Sequence, residues 1–386
     1  MEDTAVQQCP VLAGRDDRKS AAYAETKAKP AKGSTEIRSF AALRDIFRSP
    51  DALQGMAGEE AFGPGGNPDH MPVIFLNGEA HRRRRTAIAR YFTPKAITTR
   101  YHDVIHAASD RLIAELVKTG SADLDVIAFQ LAVDVTAEVV GLTNSDNREQ
   151  AQRLHKMLSG GPRRPFPGSQ LLHRLLLAWR MQGFYRKDVA PAVEARRSAP
   201  REDVISHMIK ENYSKKAMLI ECMIYGTAGM VTTRELITMA AWHMLDDEAL
   251  RLRYINGSED DQFAIIEEIL RLEPIVGMLY RKVPEQGDVS LNIRAANLDE
   301  AVTGPCPHAL DPDRARRMKV SGSYMSFGDG PHRCPGAQLA LHEARVFLDK
   351  LLRVPGITLA RKPSFAWIDS FMGYELRDAV VSCDRA

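Results

Sequence analysis

The sequence predicts a mainly α-helical protein with small β-sheets, and three observations carry that expectation. Apolar residues recur at helical spacing through most of residues 101–250, whereas strand-like runs are short and confined to places such as 275–282 and 364–382. A single cysteine lies in a Gly- and Pro-stiffened loop that runs straight into an amphipathic helix. With 386 residues, 44% hydrophobic and 26% charged, the chain has ample material for a core. Its motifs are spread along most of the length and need one another. One large catalytic domain is therefore expected over 35–386, preceded by a poorly ordered arm over 1–34 that is rich in Lys, Ala and Asp and lacks a period.

A net charge of +2 is close to balance, which points away from nucleic acid and away from a membrane surface as partners. The five cysteines (9, 222, 306, 334 and 383) are odd in number and contain no C-x-x-C pair. That argues against a disulfide framework or a zinc site and for a reducing compartment. The first residues, MEDTAVQQCPVLAGRDDRKS, are polar and have no hydrophobic signal core, and no apolar run approaches the ~20 residues that span a bilayer. The expected location is cytoplasmic.

Taken in order, SFAALRDIFRSPD (39–51) has apolar residues at helical spacing and stops near Pro50. QGMAGEEAFGPGGNPDHMP (54–72) is a long Gly/Pro loop of the kind that forms lids or binding loops. GEAHRRRRTAIARYFTP, from Gly78, predicts a helix ending before Pro94, with His81 and Arg85 four apart on one face. The helical stretch that follows breaks at 120–125, 142–147 and 160–170. KKAMLIECMIYGTAGMVTTRELITMAAWHMLDD (215–247) is the longest uninterrupted helical pattern, with small residues Ala228 and Gly229 near its middle. IIEEILRLEP (265–274) predicts a helix stopped at Pro274, with Glu268 and Arg271 one turn apart. SFAWIDSFMGYELRDAVVS (364–382) reads as a closing hairpin turning near Gly373.

The cysteine stretch is Ser326-Phe327-Gly328-Asp329-Gly330-Pro331-His332-Arg333-Cys334-Pro335-Gly336. Gly328 and Gly330 permit positive φ and a close backbone approach. Pro335 suits a first helical position, and the helix N-terminus that follows favours an anionic thiolate. A thiolate presented this way and backed by Phe327 can ligate haem iron. The order F-G-x-G-x-H-x-C-x-G resembles the haem-binding loop of the cytochrome P-450 family, with Cys334 at the axial metal-ligand position. The resemblance runs from about residue 78 to 352 and is looser outside.

That resemblance implies the cytochrome P-450 fold, a triangular helical prism around a buried haem b. It implies His81, Arg85, Arg281 and His332 as propionate anchors, with Phe327, Gly328 and Gly336 also at the cofactor. Arg82, Arg83 and Arg84 would be partly exposed on the thiolate side. The family's distal signature, A/G-G-x-acid-T-T, is matched by Ala228-Gly229-Met230-Val231-Thr232-Thr233. Thr232 would bond the bound oxygen, but Val231 stands where an acid is expected. Glu235 lies a turn further on and is read as an exposed helix charge. Glu268 and Arg271 would form a structural pair beneath the haem. Ile275, Val276, Met278, Phe371 and Met372, with Val231, are pocket candidates. Arg163, Arg164 and Phe166 fall in the family's lid region, where a surface loop is the plainer reading. Between Arg281 and Asn297 about ten residues are missing relative to the family, so a reduced sheet is expected, and Ala315 replaces an aromatic.

The implied function is a monooxygenase of secondary metabolism. It would activate dioxygen to hydroxylate or otherwise oxidise a small, largely apolar substrate, with electrons from a separate ferredoxin and ferredoxin reductase, and would act as a monomer. Because Val231 removes the usual acid, two alternatives stand beside it. One is a peroxide-using or atypical member that performs coupling, desaturation or rearrangement. The other is a haem sensor or carrier without turnover.

Overall fold

The computed structural model describes residues 14–55, 71–158, 169–369 and 372–385. The chain divides into two compact units, the first formed by Met1–Ala61, Thr238–Ala337 and Thr358–Val380, the second by Phe62–Ile237, Gln338–Ile357 and Val381–Ala386. No helix among the described residues is long and apolar enough to cross a membrane.

In the first unit, helix Phe40–Arg48 starts at Ser39, whose side chain accepts the Ala42 N–H. It buries Phe40, Leu43 and Phe47. These pack with Val289, Leu291, Ile293, Tyr324 and Met325 into one apolar cluster, each large side chain contributing about 1.5–3 kcal/mol by leaving water. The strands are β1 (Thr35–Ile37), β2 (Leu53–Gln54), β3 (Met278–Val283) and β4 (Gly287–Asn292). They form a sheet in the order β1-β4-β3-β2, with β1 parallel to β4 and the other pairs antiparallel. Strands β3 and β4 are joined through Pro284-Glu285-Gln286, with Glu285 at φ 65° and Gly287 at φ 72°. This tight hairpin is the structural form of the shortened sequence here. Strands β5 (Ser364–Ile368) and β6 (Gly373–Arg377) make a second hairpin, as the closing pattern predicts.

The described part of the N-terminal arm carries local structure. Residues 14–34 include a helix, Ala21–Lys27. The Lys19 and Ser20 N–H groups and the Ser20 hydroxyl all donate to Glu273, a carboxylate that is 1% exposed. Arg294 donates to the Ser20 hydroxyl at 3.1 Å, and Leu310 N–H donates to Asp17 at 2.7 Å. A buried carboxylate must be hydrogen-bonded, and a polar, aperiodic stretch is what supplies donors to it. Residues 1–13 lie outside the described residues.

The centre of this unit is ionic. Helix Glu259–Leu272 begins with a capping box between Ser258 and Asp261 and carries Glu268 and Arg271. Arg271 donates Nε and Nη2 to the two Glu268 oxygens, both at 2.8 Å, and its remaining donors meet the carbonyls of Asn297, Pro307 and Ala309. Arg314, which the sequence did not single out, adds Nε to Glu268 at 3.0 Å and spends Nη1 and Nη2 on the carbonyls of Thr303, Pro305, Cys306 and Ala309. Both guanidinium groups are fully buried.

The second unit is helical. It includes Gly78–Ala89, His102–Thr119, Leu124–Val140, Asn147–Leu158, Ser169–Phe184, Val204–Lys210 and Lys215–Tyr225. Leu124–Val140 is its core element, apolar on nearly every face and buried accordingly. Helix Ala337–Leu352 brings Glu343 into this unit's interior, 2% exposed, with Oε1 making no hydrogen bond. Burial, helped by nearby Asp134, pushes the Glu343 carboxyl up to about 8.

Two outcomes follow. Replacing Glu268 with Ala strands two buried cations, so chemical denaturation should show a loss of about 3–5 kcal/mol, with Arg271→Ala and Arg314→Ala also destabilised. Replacing all three together should cost less than the sum of the single losses. For Glu343, the folded state keeps a proton that the unfolded chain gives up near its ordinary value of 4.5. Stability should therefore fall as pH rises from about 4.5 to about 8. Glu343→Gln should flatten that slope in melts recorded across the window, and an unchanged slope would contradict the assignment.

Candidate functional site

The cysteine loop belongs to the first unit. Gly328 and Gly330 take φ 68° and 64°. At Gly330 a side chain is excluded outright, since a Cβ there would sit 2.2 Å from the Phe47 carbonyl oxygen. The Cys334 N–H donates to the Phe327 carbonyl at 2.9 Å, closing the loop on itself. Cys334 is half-buried and takes part in no disulfide. The helix starts at Ala337, so Pro335 and Gly336 form the turn into it and Pro335 does not occupy a helical position. Gly336 leaves the sulfur uncrowded, since a Cβ there would lie 4.0 Å from it.

Two braces hold this loop. Asn297, fully buried, donates to the Ser326 hydroxyl at 2.8 Å and accepts the Met325 N–H at 2.9 Å, while also bonding the Arg271 carbonyl. Ser326 in turn donates to the Leu270 carbonyl. The helix bearing Glu268 and Arg271 is thus wired to the loop through one asparagine. On the other side, Arg48 pairs with Asp329 at 2.8 Å, and Gln54 meets His332 Nδ1 at 3.0 Å.

Arg281, on β3, is 5% exposed. Its Nη1 donates to the Tyr280 carbonyl, and its guanidinium lies 5.3 Å from the centre of the Phe47 ring. Among the described residues no carboxylate offsets its charge, and desolvation lowers it to about 10. A buried cation in that condition suits an anionic group. Ile275 and Met278 are buried, Val276 half-buried, and Met372 stands at φ 47° at the hairpin tip. Met372 is close enough that a Cβ on Gly277 would meet its carbonyl at 2.2 Å. Phe371 lies outside the described residues, as do Arg163, Arg164 and Phe166.

In the second unit, His81 is 4% exposed on helix Gly78–Ala89. Burial and then the neighbouring Arg85 hold its imidazole below the ordinary range. Arg82 and Arg83 are exposed, whereas Arg84 is not. It stacks 4.9 Å from the Tyr213 ring centre, lies 3.6 Å from Glu221 and bonds the Met71 carbonyl, so it is withdrawn from the expected basic face. The long distal helix is interrupted. Lys215–Tyr225 gives way to a π-turn over Gly226–Val231 before Thr232–Asp246 resumes. Such a turn widens the helix locally and is frequent at functional positions. Thr232 is half-buried and donates to the Ala228 carbonyl at 2.7 Å. Thr233 is 4% exposed and Val231 6%. Gly229 approaches Thr136, whose hydroxyl would be 3.2 Å from an added Cβ. Glu235 corrects the sequence expectation of a surface charge. It is fully buried, gripped by Nε and Nη2 of Arg234, whose guanidinium lies 5.5 Å from the Phe129 ring centre.

The candidate residues therefore fall into two groups, one in each unit. Cys334, Phe327, Gly328, Gly336, His332, Arg281, Glu268 and Arg271 lie in the first, and His81, Arg85 and the 228–233 turn lie in the second. Among the described residues no group of three His, Cys, Asp or Glu gathers as a metal cage. One half-buried thiol with buried cations fits a metal that arrives in a macrocycle bearing carboxylates, and haem is such a group. Sequence reasoning missed Arg314, Asn297, Gln54 and the π-turn. The first lies in DPDRARR (311–317), where a further arginine cluster downstream of the Glu–Arg pair was a usable signal, whereas Gln54 carries none.

Comparisons with known proteins bear on the family and the fold. The cytochrome P450 family model matches residues 263–354, the stretch from the Glu–Arg helix through the cysteine loop. The chain is 27% identical over 316 residues to the biotin biosynthesis cytochrome P450 of Bacillus subtilis, covering 76% of this chain and 75% of that protein. It is 25% identical over 308 residues to cytochrome P450(MEG) of Priestia megaterium, covering 75% and 72%. Among solved structures, substrate-free CYP109E1 from Bacillus megaterium superposes with a TM-score of 0.77 at 20% identity, covering 95% of this chain and 99% of that one. P450BioI, in complex with an acyl carrier protein ligated to hexadec-9Z-enoic acid, gives 0.75 at 22% identity, with 95% and 99% coverage. With its cysteine loop, its buried Glu–Arg pair and these matches, the chain is similar to the cytochrome P450 family, whose members are oxidoreductases of the haem monooxygenase kind.

Proposed function

We propose that the protein is a haem-thiolate monooxygenase acting on a small, largely apolar molecule, with electrons delivered by a separate ferredoxin and its reductase. The observation that carries this is the Cys334 loop, a half-buried thiol outside any disulfide, at a helix entrance, with its own N–H tied to Phe327. When bound there, haem b supplies oxygen activation, which a thiolate ligand favours by donating electron density.

The remaining work falls to side chains. Cys334 holds the metal. Arg281 and His332, with His81 and Arg85, would neutralise the propionates, a role supported by buried Arg281 having no carboxylate partner among the described residues. Thr232, whose hydroxyl rests on the Ala228 carbonyl in a widened turn, would be the group on that helix able to donate or relay a proton at its Oγ1. Ile275, Val276, Met278 and Met372 offer apolar surface to the substrate, with Phe371 a further candidate. A fatty acyl group is what the P450BioI crystal structure holds, and an apolar substrate of that general kind accords with these residues. Arg82, Arg83, Arg333 and Arg345 remain as the basic positions for an acidic redox partner.

One observation favours a second reading. Val231 is apolar and buried, and the nearest acid on that helix, Glu235, is committed to Arg234. Proton delivery through this turn lacks its usual carboxylate, which suits an oxidant that brings its own protons, namely hydrogen peroxide.

The cysteine assignment predicts that Cys334→Ser abolishes the thiolate-type reduced-carbonyl spectrum together with oxidising activity; a variant keeping both would end the proposal. For the second reading, Val231→Asp should raise reductase-driven turnover at least about tenfold while leaving peroxide-driven turnover within a factor of about two. A wild-type protein already fast with reductase and slow with peroxide would decide against peroxide as the oxidant.

A further inference from the structure

Gln54 is one of only two residues in β2, yet its side chain meets His332 and its backbone is in register with Arg281, the two propionate anchors proposed in the first unit. It stands directly opposite Arg281 in the antiparallel register of β2 and β3, where opposed side chains share a face of the sheet. Its amide nitrogen is 3.0 Å from His332 Nδ1. The strand itself is tightly seated. Gly55 N–H donates to the Tyr280 carbonyl at 3.2 Å, and a Cβ on Gly55 would lie 3.0–3.1 Å from three Arg281 backbone atoms, so the close approach here requires glycine. On the loop side, the same N-terminal segment crosses Gly330 with the Phe47 carbonyl and holds Asp329 with Arg48.

We infer that Gln54 is a positioning residue, setting the His332 imidazole against Arg281 so that both donors converge on one carboxylate of the cofactor. The inference rests on the haem reading above and deepens it. An amide N–H donating to Nδ1 requires a lone pair there, which places the ring proton on Nε2. The far nitrogen of His332 is thereby a donor, the form a carboxylate needs. Gln54 also sets the spacing, because its backbone is in register with Arg281 while its side-chain end holds the ring. A hydrophobic residue at 54 would leave the ring free to take the other tautomer, with a lone pair facing the anion.

The test is a double-mutant cycle on the haem-loaded full-length protein, read as the rate of haem transfer to excess apomyoglobin. Gln54→Ala should speed transfer about fivefold, the factor expected for one hydrogen bond, and His332→Ala at least as much. The double variant should match His332→Ala alone, because the effect of Gln54 on the cofactor is proposed to run through that ring. Nitrogen-15 long-range NMR of the reduced carbonyl complex supplies a second measurement that needs no variant, and the wild-type His332 should carry its proton on Nε2. Additive losses, an unchanged rate in Gln54→Ala, or a proton on Nδ1 in the wild type would each overturn the inference while leaving the haem reading intact. A wild-type protein without a thiolate-type spectrum would overturn both.

Discussion

The carboxylate of Glu268 organises the first unit more than any other group. One negative charge, fully out of water, is shared by the guanidinium groups of Arg271 and Arg314. The arrangement is stable only because each arginine spends its remaining donors on backbone carbonyls of the segment 297–309. Buried ion pairs of this sort add little net stability over an apolar core, but they tolerate only one geometry. Here that geometry fixes a stretch that is irregular apart from the one-turn helix Glu300–Thr303. The same stretch contains Asn297, which passes the order on to Ser326 and so to the cysteine loop.

A thiolate ligand is useful only when it is held still. The loop around Cys334 has no regular hydrogen-bond ladder of its own, and its rigidity is supplied from outside by contacts distant in sequence. Asn297 grips its start, while Phe47, Arg48 and Gln54 press on its middle. Glycine at 330 is therefore a packing requirement as much as a conformational one. The N-terminal segment, which has the weakest sequence signature among the parts that matter, proves to be a support of the most recognisable motif.

The distal helix shows the opposite relation between pattern and structure. Its periodicity reads as one continuous element, yet a π-turn occupies Gly226–Val231. Small residues there leave the backbone few side-chain contacts to lose on widening, which makes the departure inexpensive. Glu235 reads as a solvated charge by its type, since isolated acids on helices are usually exposed. It is buried because Arg234 accompanies it and Phe129 covers the guanidinium, and such a neighbour relation can be seen only once the helices have packed.

The sequence alone determined the helical class, the cysteine loop with its two positive-φ glycines, the closing hairpin and the Glu268–Arg271 spacing. Each is a local property, set by side-chain period, by glycine and proline stereochemistry, or by one helical turn. Only the tertiary structure decided that Arg314 joins the same carboxylate, that Asn297 couples it to the loop, that Arg84 leaves the basic surface for Tyr213 and Glu221, and that residues 14–34 fold onto Glu273. All of these satisfy buried polar groups with partners far along the chain. Neither partner carries a pattern that reveals the other, because what selects the pair is the cost of leaving a buried charge unpaired, and that cost exists only after water has been expelled.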